Sequence, residues 1–129
     1  LRGGWLRTGD VGLVDDEGTI TIVDRVKDMY ISGGENVYPA EIERTLAGHP
    51  AVREAAVIGI TDARWGETGC SIVVLRDGAI ATEDDIRAYC LQQLAKFKVP
   101  SRVLFADTLP RNATGKLLKQ ELRARYGSP

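Results

Sequence analysis

Three short segments combine glycine with charged side chains in ways that could bind a nucleotide or a thiol. The first contains Arg7-Thr8-Gly9-Asp10, in which Gly9 permits close backbone approach and Asp10 offers a carboxylate that can accept from paired hydroxyls. The alternative interpretation of this segment is a simple turn before a strand. Spacing alone does not separate the two interpretations.

The second segment pairs a charged strip with a glycine-rich loop. Residues 24–28 read Asp-Arg-Val-Lys-Asp, and residues 32–36 read Ser-Gly-Gly-Glu-Asn. Adjacent glycines expose a backbone along which a ligand could lie. The alternative is a charged connector followed by a tight turn.

The third segment runs from Leu109 to Lys116 and ends in Gly115-Lys116. Periodicity predicts a helix from about Lys116, where a cation in the first turn would oppose the helix dipole by roughly 0.3–1 kcal/mol. Free N–H groups at the same end would favour an anion, so this lysine suits the joint binding of a carboxylate and a phosphate. The alternative is a solvated loop lysine. Because Pro110 stands where a Walker A loop requires glycine, that motif is excluded.

The elements that must position these segments follow from hydrophobic patterning. Residues 11–14 and 19–23 are β-rich and flank Asp-Asp-Glu-Gly, which predicts a hairpin. A short strand is predicted at 29–32 and broken by Gly33-Gly34. Longer apolar strands are predicted at 55–60, 70–75 and 102–106.

Three helices are predicted around these strands. Pro39 occupies the first position of a helix ending near Ala47, with Ile42 and Leu46 inward and Glu41, Glu43 and Arg44 toward water. Thr82 caps a second helix that carries Ile86, Tyr89, Cys90 and Leu94, and a third runs from about Lys116 to Tyr126. The predicted fold is α+β: a three-stranded sheet flanked by helices and preceded by a β-hairpin.

Composition limits the function classes. The 129 residues carry 17 Lys+Arg and 18 Asp+Glu, a net charge of −1, which gives no electrostatic case for nucleic-acid binding. Cys70, Cys90 and His49 do not form a zinc-ligand pattern, so buried free thiols and no metal site are expected. No apolar run approaches ~20 residues, and we expect no transmembrane segment and a cytoplasmic location. Since Leu1 is not a methionine, we expect a piece of a longer chain.

Taken in order, the motifs resemble those of the AMP-forming (adenylate-forming) ligases. They are Gly-Trp-Leu-Arg-Thr-Gly-Asp at 4–10, the charged strip at 24–28, Ser-Gly-Gly-Glu-Asn-Val-Tyr-Pro-Ala-Glu-Ile-Glu at 32–43, and Pro110 followed by Gly115-Lys116. Each motif is weak alone, but the ordered set covers nearly the whole chain and is specific. The hinge and glycine motifs resemble acyl-CoA synthetases more than carrier-protein adenylation domains.

The resemblance implies a division of the chain and a reaction. Residues 1–26 would end a large N-terminal domain, and 27–129 would form a mobile C-terminal lid. The partner of the lid would be its own N-terminal domain, which would supply the phosphate loop and acyl pocket, so the isolated chain is expected to be inactive. A carboxylic acid, ATP with Mg²⁺, and CoA would be converted through an acyl-adenylate, with fatty acid metabolism as one context.

The resemblance also implies roles for particular residues. Asp10 would bind the ribose hydroxyls of ATP or AMP, and Arg25 would contact the ribose or phosphates. Lys27 would be the hinge, and Lys116 would be the catalytic residue that bridges the carboxylate and the α-phosphate. Bacterial relatives further imply that a lysine acetyltransferase and deacetylase could act on Lys116 and remove its charge.

The CoA side of the lid is implied by further positions. Gly33, Gly34 and Glu35 would line the passage for the thiol arm, with Gly34 the most size-sensitive. Trp65 would lie near the CoA nucleotide, although a half-buried core aromatic is equally compatible with the sequence. The segment 97–100 would also lie near the CoA nucleotide. Lys98 and Arg102 could pair with CoA phosphates or remain solvated.

Two alternatives remain from the sequence. The thiol could belong to a carrier protein, or the chain could be a non-catalytic binding or regulatory module of the same fold. Retention of both Asp10 and Lys116 argues against the second, because a degenerate lid needs neither.

Overall fold

The first described elements are two strands that pair as a hairpin. The structure is a computed structural model, and it describes residues 10–14, 20–25 and 28–127. Strands β1 (Asp10–Val14) and β2 (Ile20–Arg25) pair antiparallel, which confirms the predicted hairpin; its predicted turn lies outside the described residues. Because β2 continues to Arg25, the first part of the predicted charged connector is strand.

In the part of the chain that the structure describes, the main sheet has five strands rather than the predicted three. They are β3 (Tyr30–Ser32), β4 (Glu35–Val37), β5 (Val52–Asp62), β6 (Gly66–Leu75) and β7 (Arg102–Phe105), in the order β4-β3-β6-β5 with β7 also on β6. The α+β class is confirmed, but the strand number was wrong. The short strand predicted at 29–32 belongs to this sheet as β3, and β4 was missed because three residues are too few to show a period of two. These two strands pair across Gly33-Gly34, whose φ angles of 58° and 83° suit a tight turn that only glycine adopts readily.

Within the described residues, three helices cover the sheet: α1 (Pro39–Ala47), α2 (Glu83–Gln93) and α3 (Lys119–Tyr126). Helix α1 begins at the proline as predicted, and Ile42 and Leu46 are fully buried. Glu43 does not simply face water as predicted. Its Oε2 accepts a hydrogen bond from the Val57 N–H at 2.9 Å and lies 2.9 Å from Lys119 Nζ. This pair covers part of the open edge of β5.

Helix α3 begins three residues later than predicted. The preceding residues form a closed loop, in which Arg111 bridges Leu117 and Gly115 has a φ of 85°. Lys116 therefore does not lie in the first turn of a helix, and the prediction that its neighbourhood offers free helix N–H groups was wrong. Its own N–H donates to Asn112 Oδ1 at 2.9 Å.

The two faces of the sheet carry separate hydrophobic clusters. Val57 and Val73 pack with α1 and α2, whereas Ile58 and Ile72, one residue along each strand, pack with Leu122 of α3. This alternation is the period of two expected for a strand buried on both faces. Helix α2 and the segment that carries Lys116 are consequently held on opposite faces.

The cap of α2 provides a local test of the fold. The Asp85 N–H donates to Thr82 Oγ1 at 3.1 Å, which confirms the predicted N-cap, and the Thr82 N–H donates to Asp85 Oδ2 at 2.9 Å, which completes a capping box that was not predicted. Thr82→Ala should lower the free energy of unfolding by about 1 kcal/mol because a helix N–H loses its partner. Urea denaturation checks this, with Thr82→Ser as the control that keeps the hydroxyl. Equal stability of the two variants would contradict the proposed capping contribution.

Candidate functional site

A cleft of about 740 Å³ opens beside β6, between the places where β3 and β7 pair with it. β3 pairs at Gly66 and β7 begins at Cys70, so the intervening part of this edge is not covered by a strand. The glycine loop forms one wall, and α2 with the following 3-10 turn (Lys96–Lys98) forms the other. The lining residues are Ser32, Gly33, Glu35, Arg64, Trp65, Thr68, Arg87, Ala88, Leu91, Lys96, Phe97, Val99 and Ser101.

Trp65 is held at the mouth of this cleft against the glycine loop. The Gly33 N–H donates to the Trp65 carbonyl at 2.9 Å, and a Cβ on Gly33 would lie 3.1 Å from Trp65 Cε3. The Arg64 guanidinium lies 4.5 Å from the indole centroid, while Asp62 accepts from the N–H groups of both Arg64 and Trp65. With 47% of its surface exposed, Trp65 is not the core aromatic that the sequence also allowed.

The glycines of the loop differ in their surroundings. Gly33 and Glu35 line the cleft, but Gly34 is not among the lining residues. A Cβ on Gly34 would meet no heavy atom within 4 Å among the described residues. Its φ of 83° still disfavours any other residue.

The basic residues of the opposite wall were missed by the sequence interpretation. Arg87 and Lys96 line the cleft with Phe97, whereas Lys98 is not a lining residue, and its Nζ lies 2.8 Å from Glu41 Oε1. The backbone carbonyl of Pro100 accepts from Arg87 Nε at 3.2 Å, which orients the guanidinium. No sequence signal distinguished these cations from solvated helix-surface charges.

The loop before α3 is closed by a set of short hydrogen bonds. Asn112 Oδ1 accepts from the Thr114 N–H at 3.0 Å and from its hydroxyl at 2.7 Å, in addition to the Lys116 N–H. Arg111 donates to the Gly115 carbonyl at 2.9 Å and to Glu54 Oε2 at 2.8 Å. The loop is thereby fastened to β5.

Lys116 is exposed at the end of this loop. Within the ranges that the structure covers, no carboxylate lies within ion-pair distance of its side chain. An exposed ammonium on a hydrogen-bonded loop is available to an anion outside the described residues. Lys116 and the α2 wall of the cleft are attached to opposite faces of the sheet, so the structure does not bring the two sites together.

Two of the other predicted residues are paired in the hairpin. Asp10 and Arg25 are register partners at one end of β1 and β2, so their backbones are adjacent although they are far apart in sequence. The hinge residue Lys27 lies outside the described residues. The next residue, Asp28, accepts from Arg123 Nη2 at 2.7 Å, which ties the start of the described range 28–127 to α3.

Cys70 and Cys90 are buried free thiols, as predicted. Burial raises the pKa of both, to about 11 for Cys90, so each remains a neutral thiol at physiological pH. Within residues 10–14, 20–25 and 28–127, no three His, Cys, Asp or Glu side chains are grouped as metal ligands. Nor does this part of the chain contain a helix with the length and apolar character needed to cross a bilayer.

Comparison with known sequences identifies a family. The profile described as "AMP-binding enzyme C-terminal domain" matches residues 41–116, more than half of the chain. A long-chain-fatty-acid–CoA ligase, FadD13, of Mycobacterium tuberculosis is 54% identical over 125 residues, covering 97% of this chain and 25% of the ligase. A feruloyl-CoA synthase of an Amycolatopsis species is 51% identical over 127 residues, covering 98% and 26%.

Solved structures agree with these matches. The fatty acyl CoA synthetase of Mycobacterium tuberculosis superposes with a TM-score of 0.83 at 52% identity, covering 100% of this chain and 26% of that one. ATP-bound MatB of Rhodopseudomonas palustris gives 0.87 at 45% identity, covering 93% and 24%. MenE of Bacillus subtilis in complex with the acyl-adenylate OSB-AMP gives 0.85 at 45% identity, covering 95% and 25%. The chain thus spans about a quarter of the length of these relatives.

Proposed function

We infer that this chain, which belongs to the AMP-binding enzyme C-terminal domain family, is the mobile lid and lid approach of an AMP-forming acyl-CoA synthetase. The observation that carries this proposal is the presence of two separate sites on one small domain. One is the exposed ammonium of Lys116, and the other is an aromatic cleft with cationic rims. Two sites on opposite faces of a sheet suit a domain that presents one face in each of two half-reactions.

In the first half-reaction, Lys116 would act by electrostatic stabilisation. A carboxylate oxygen attacks the α-phosphorus of ATP, the bond to the β-phosphate oxygen breaks, and pyrophosphate leaves. Both reactants are anions, so a cation held between them lowers their repulsion and stabilises the charge of the transition state. The hydrogen-bonded loop from Arg111 to Leu117 would restrict the position of Lys116 before the reaction.

The nucleotide would be held in part by the hairpin. We assign Asp10 to the ribose hydroxyls and Arg25 to the ribose or phosphate region, and their pairing across β1 and β2 supports a shared location. Mg²⁺ would arrive with ATP and be bound mainly by the large domain, because the described residues offer no cluster of ligands for it. We assign residues 1–26 to the end of the large domain and residues 27–129 to the lid, with Lys27 as the hinge. The ion pair between Asp28 and Arg123 supports a rigid lid from Asp28 onward.

In the second half-reaction, the cleft would bind CoA. The thiol sulfur attacks the acyl carbon, the bond between that carbon and the AMP oxygen breaks, and the thiol proton is released. Gly33, Gly34 and Glu35 would border the thiol arm, and the partly exposed rings of Trp65 and Phe97 would stack with the adenine. Arg87, Lys96 and Arg64 would supply the phosphate contacts, and the ion pair of Lys98 with Glu41 makes Lys98 a weaker candidate.

The phosphate contacts can be tested with the longer protein that carries this chain. Steady-state kinetics would compare CoA, 3′-dephospho-CoA and 4′-phosphopantetheine as acceptors, with pyrophosphate release as the separate measure of adenylation. Arg87→Ala is expected to raise the KM for CoA by about 10- to 100-fold, the effect of losing a charged hydrogen bond. Its effect on pyrophosphate release should be small.

Arg44→Ala, which removes an exposed arginine of α1 outside the cleft, is the matched control. A larger loss of CoA affinity in Lys98→Ala than in Arg87→Ala would assign the phosphate contact to Lys98, as the sequence first suggested, and not to Arg87. Turnover with a carrier-bound phosphopantetheine but not with CoA would favour the carrier-protein alternative. No acid-dependent pyrophosphate release across a panel of carboxylic acids would favour the non-catalytic module.

A cytoplasmic location and acetylation of Lys116 are parts of the same proposal. The exposure of Lys116 makes its ammonium accessible to a modifying enzyme. Acetylation would remove the charge on which the first half-reaction depends. Mass spectrometry of the protein, combined with pyrophosphate release before and after treatment with a lysine deacetylase, would test this regulation.

A further inference from the structure

Tyr30 occupies a seat made by two glycines that face each other across the central strands. Gly59 of β5 and Gly69 of β6 are direct cross-strand partners. A Cβ on Gly59 would lie 2.6 Å from Tyr30 Cβ and 2.8 Å from Tyr30 Cγ, and a Cβ on Gly69 would overlap Tyr30 Oη. The ring therefore spans both glycines, with its base at Gly59 and its hydroxyl end at Gly69.

The hydroxyl end of this ring reaches the other side of the cleft. The same hypothetical Cβ on Gly69 would lie 3.3 Å from Pro100 Cα, so Tyr30 Oη and Pro100 are neighbours. Residues on both sides of Pro100, namely Val99 and Ser101, line one wall of the cleft. Two and three residues after Tyr30, Ser32 and Gly33 line the opposite wall.

Packing alone does not account for a tyrosine at this position. Tyr30 is only 2% exposed, and its Oη has no hydrogen-bond partner among the described residues. Burial raises the pKa of Tyr30, so the hydroxyl stays neutral. A phenylalanine would fill most of the same space without an unsatisfied polar group. The hydroxyl does, however, extend the far end of the ring over Gly69, to the side on which Pro100 lies.

We propose that Tyr30 is a positioning residue that sets the separation of the two cleft walls and thereby the affinity for the thiol substrate. The ring acts as a rigid spacer because the glycine pair leaves room beneath it and its far end lies over Gly69, beside Pro100. This inference rests on the proposed function for its kinetic consequence. Its structural consequence, the wall separation, does not depend on any activity.

The experiment compares Tyr30→Leu, Tyr30→Phe and Gly69→Ala in the longer protein. Tyr30→Leu removes the far end of the spacer, and Gly69→Ala pushes the ring from its seat. Both are expected to raise the KM for CoA by about tenfold or more, with pyrophosphate release changed by less than about twofold, because small misplacements in a site have large effects on the step that uses it. Tyr30→Phe keeps the ring but removes the hydroxyl that lies over Gly69, so its KM for CoA should fall between those of wild type and Tyr30→Leu.

Ile72→Ala is the matched control for lost core packing. Ile72 is fully buried in the same strand as Gly69 but belongs to the cluster on the other face. It should lower the melting temperature while leaving the ratio of the two half-reactions unchanged. If Ile72→Ala and Tyr30→Leu alter that ratio equally, the effect is general destabilisation and the spacer role is excluded.

A crystal structure of Tyr30→Leu separates this inference from the proposed function. We expect the distance between the Gly33 backbone and the Val99–Ser101 backbone to change relative to wild type. An unchanged separation would overturn the spacer role, whether or not the protein uses CoA. If the separation changes in Tyr30→Leu but the wild-type protein forms no thioester, the spacer role is retained and the proposed reaction is rejected.

Discussion

Lys116→Ala in the longer protein is expected to slow acyl-adenylate formation by about 10²- to 10³-fold, the usual effect of losing one preorganised charge-stabilising donor. Lys116 is exposed on a hydrogen-bonded loop, so its removal leaves the fold intact. Thioester formation from supplied acyl-adenylate should be largely preserved, because the cleft depends on the other face of the sheet. Pyrophosphate release and single-turnover thioester formation measure the two steps separately.

The matched control is Lys119→Ala, which removes an equal charge three residues later. Lys119 pairs with Glu43 at 2.9 Å, so this variant should lose some stability but keep both half-reactions. A comparable loss of adenylate formation in both variants would show that overall charge, rather than the placement of Lys116, is responsible. Equal loss of both half-reactions in Lys116→Ala would contradict a two-state lid.

Gly34→Leu is expected to have the reverse effect: thioester formation falls by about 10²-fold, as for a misplaced reacting group, while adenylate formation is preserved. The cause is twofold. A φ of 83° is strained for leucine, which shifts the turn that holds Gly33 and Glu35 in the cleft. The added side chain would also project from the loop proposed to border the thiol arm.

Gly78→Leu is a close control for backbone strain. Gly78 has a φ of 75°, and a Cβ added there, like one added at Gly34, would meet no heavy atom within 4 Å among the described residues. It is not among the residues that line the cleft. Similar melting temperatures for the two variants, with thioester formation lost only in Gly34→Leu, would assign the effect to the loop. An equal loss of thioester formation in both variants would show that the cause is backbone strain in general and not the position of Gly34.

Local chemistry explains which elements could be predicted. Pro39 can occupy a first helical position because its missing N–H is not needed there, and α1 begins at that residue. Thr82 was predicted as an N-cap, and its hydroxyl accepts from the Asp85 N–H three residues later. Each of these signals acts between residues of one helical turn, so it does not depend on how the helix packs in the tertiary structure.

The sequence-based predictions failed where a side chain makes a hydrogen bond that the hydrophobic pattern does not indicate. The start of α3 was placed too early because the Lys116 N–H donates to Asn112 Oδ1 and Arg111 forms a β-bridge with Leu117. Hydrophobic periodicity gives no indication of either contact. The water-facing assignment of Glu43 failed for a similar reason, since it accepts from an N–H of a strand fourteen residues away.

The sequence by itself determined the family and the candidate functional residues. The reason is that the order of the glycine, carboxylate and lysine motifs can be read along the chain without knowing the distances between them in space. Only the tertiary structure decided which charges share a site: Arg87 and Lys96 line the cleft with Trp65, while Lys98 turns to Glu41. The physical reason is that the direction of a side chain depends on how its helix docks on the sheet. Docking also separated Lys116 from the cleft by the thickness of that sheet, which no spacing along the chain could indicate.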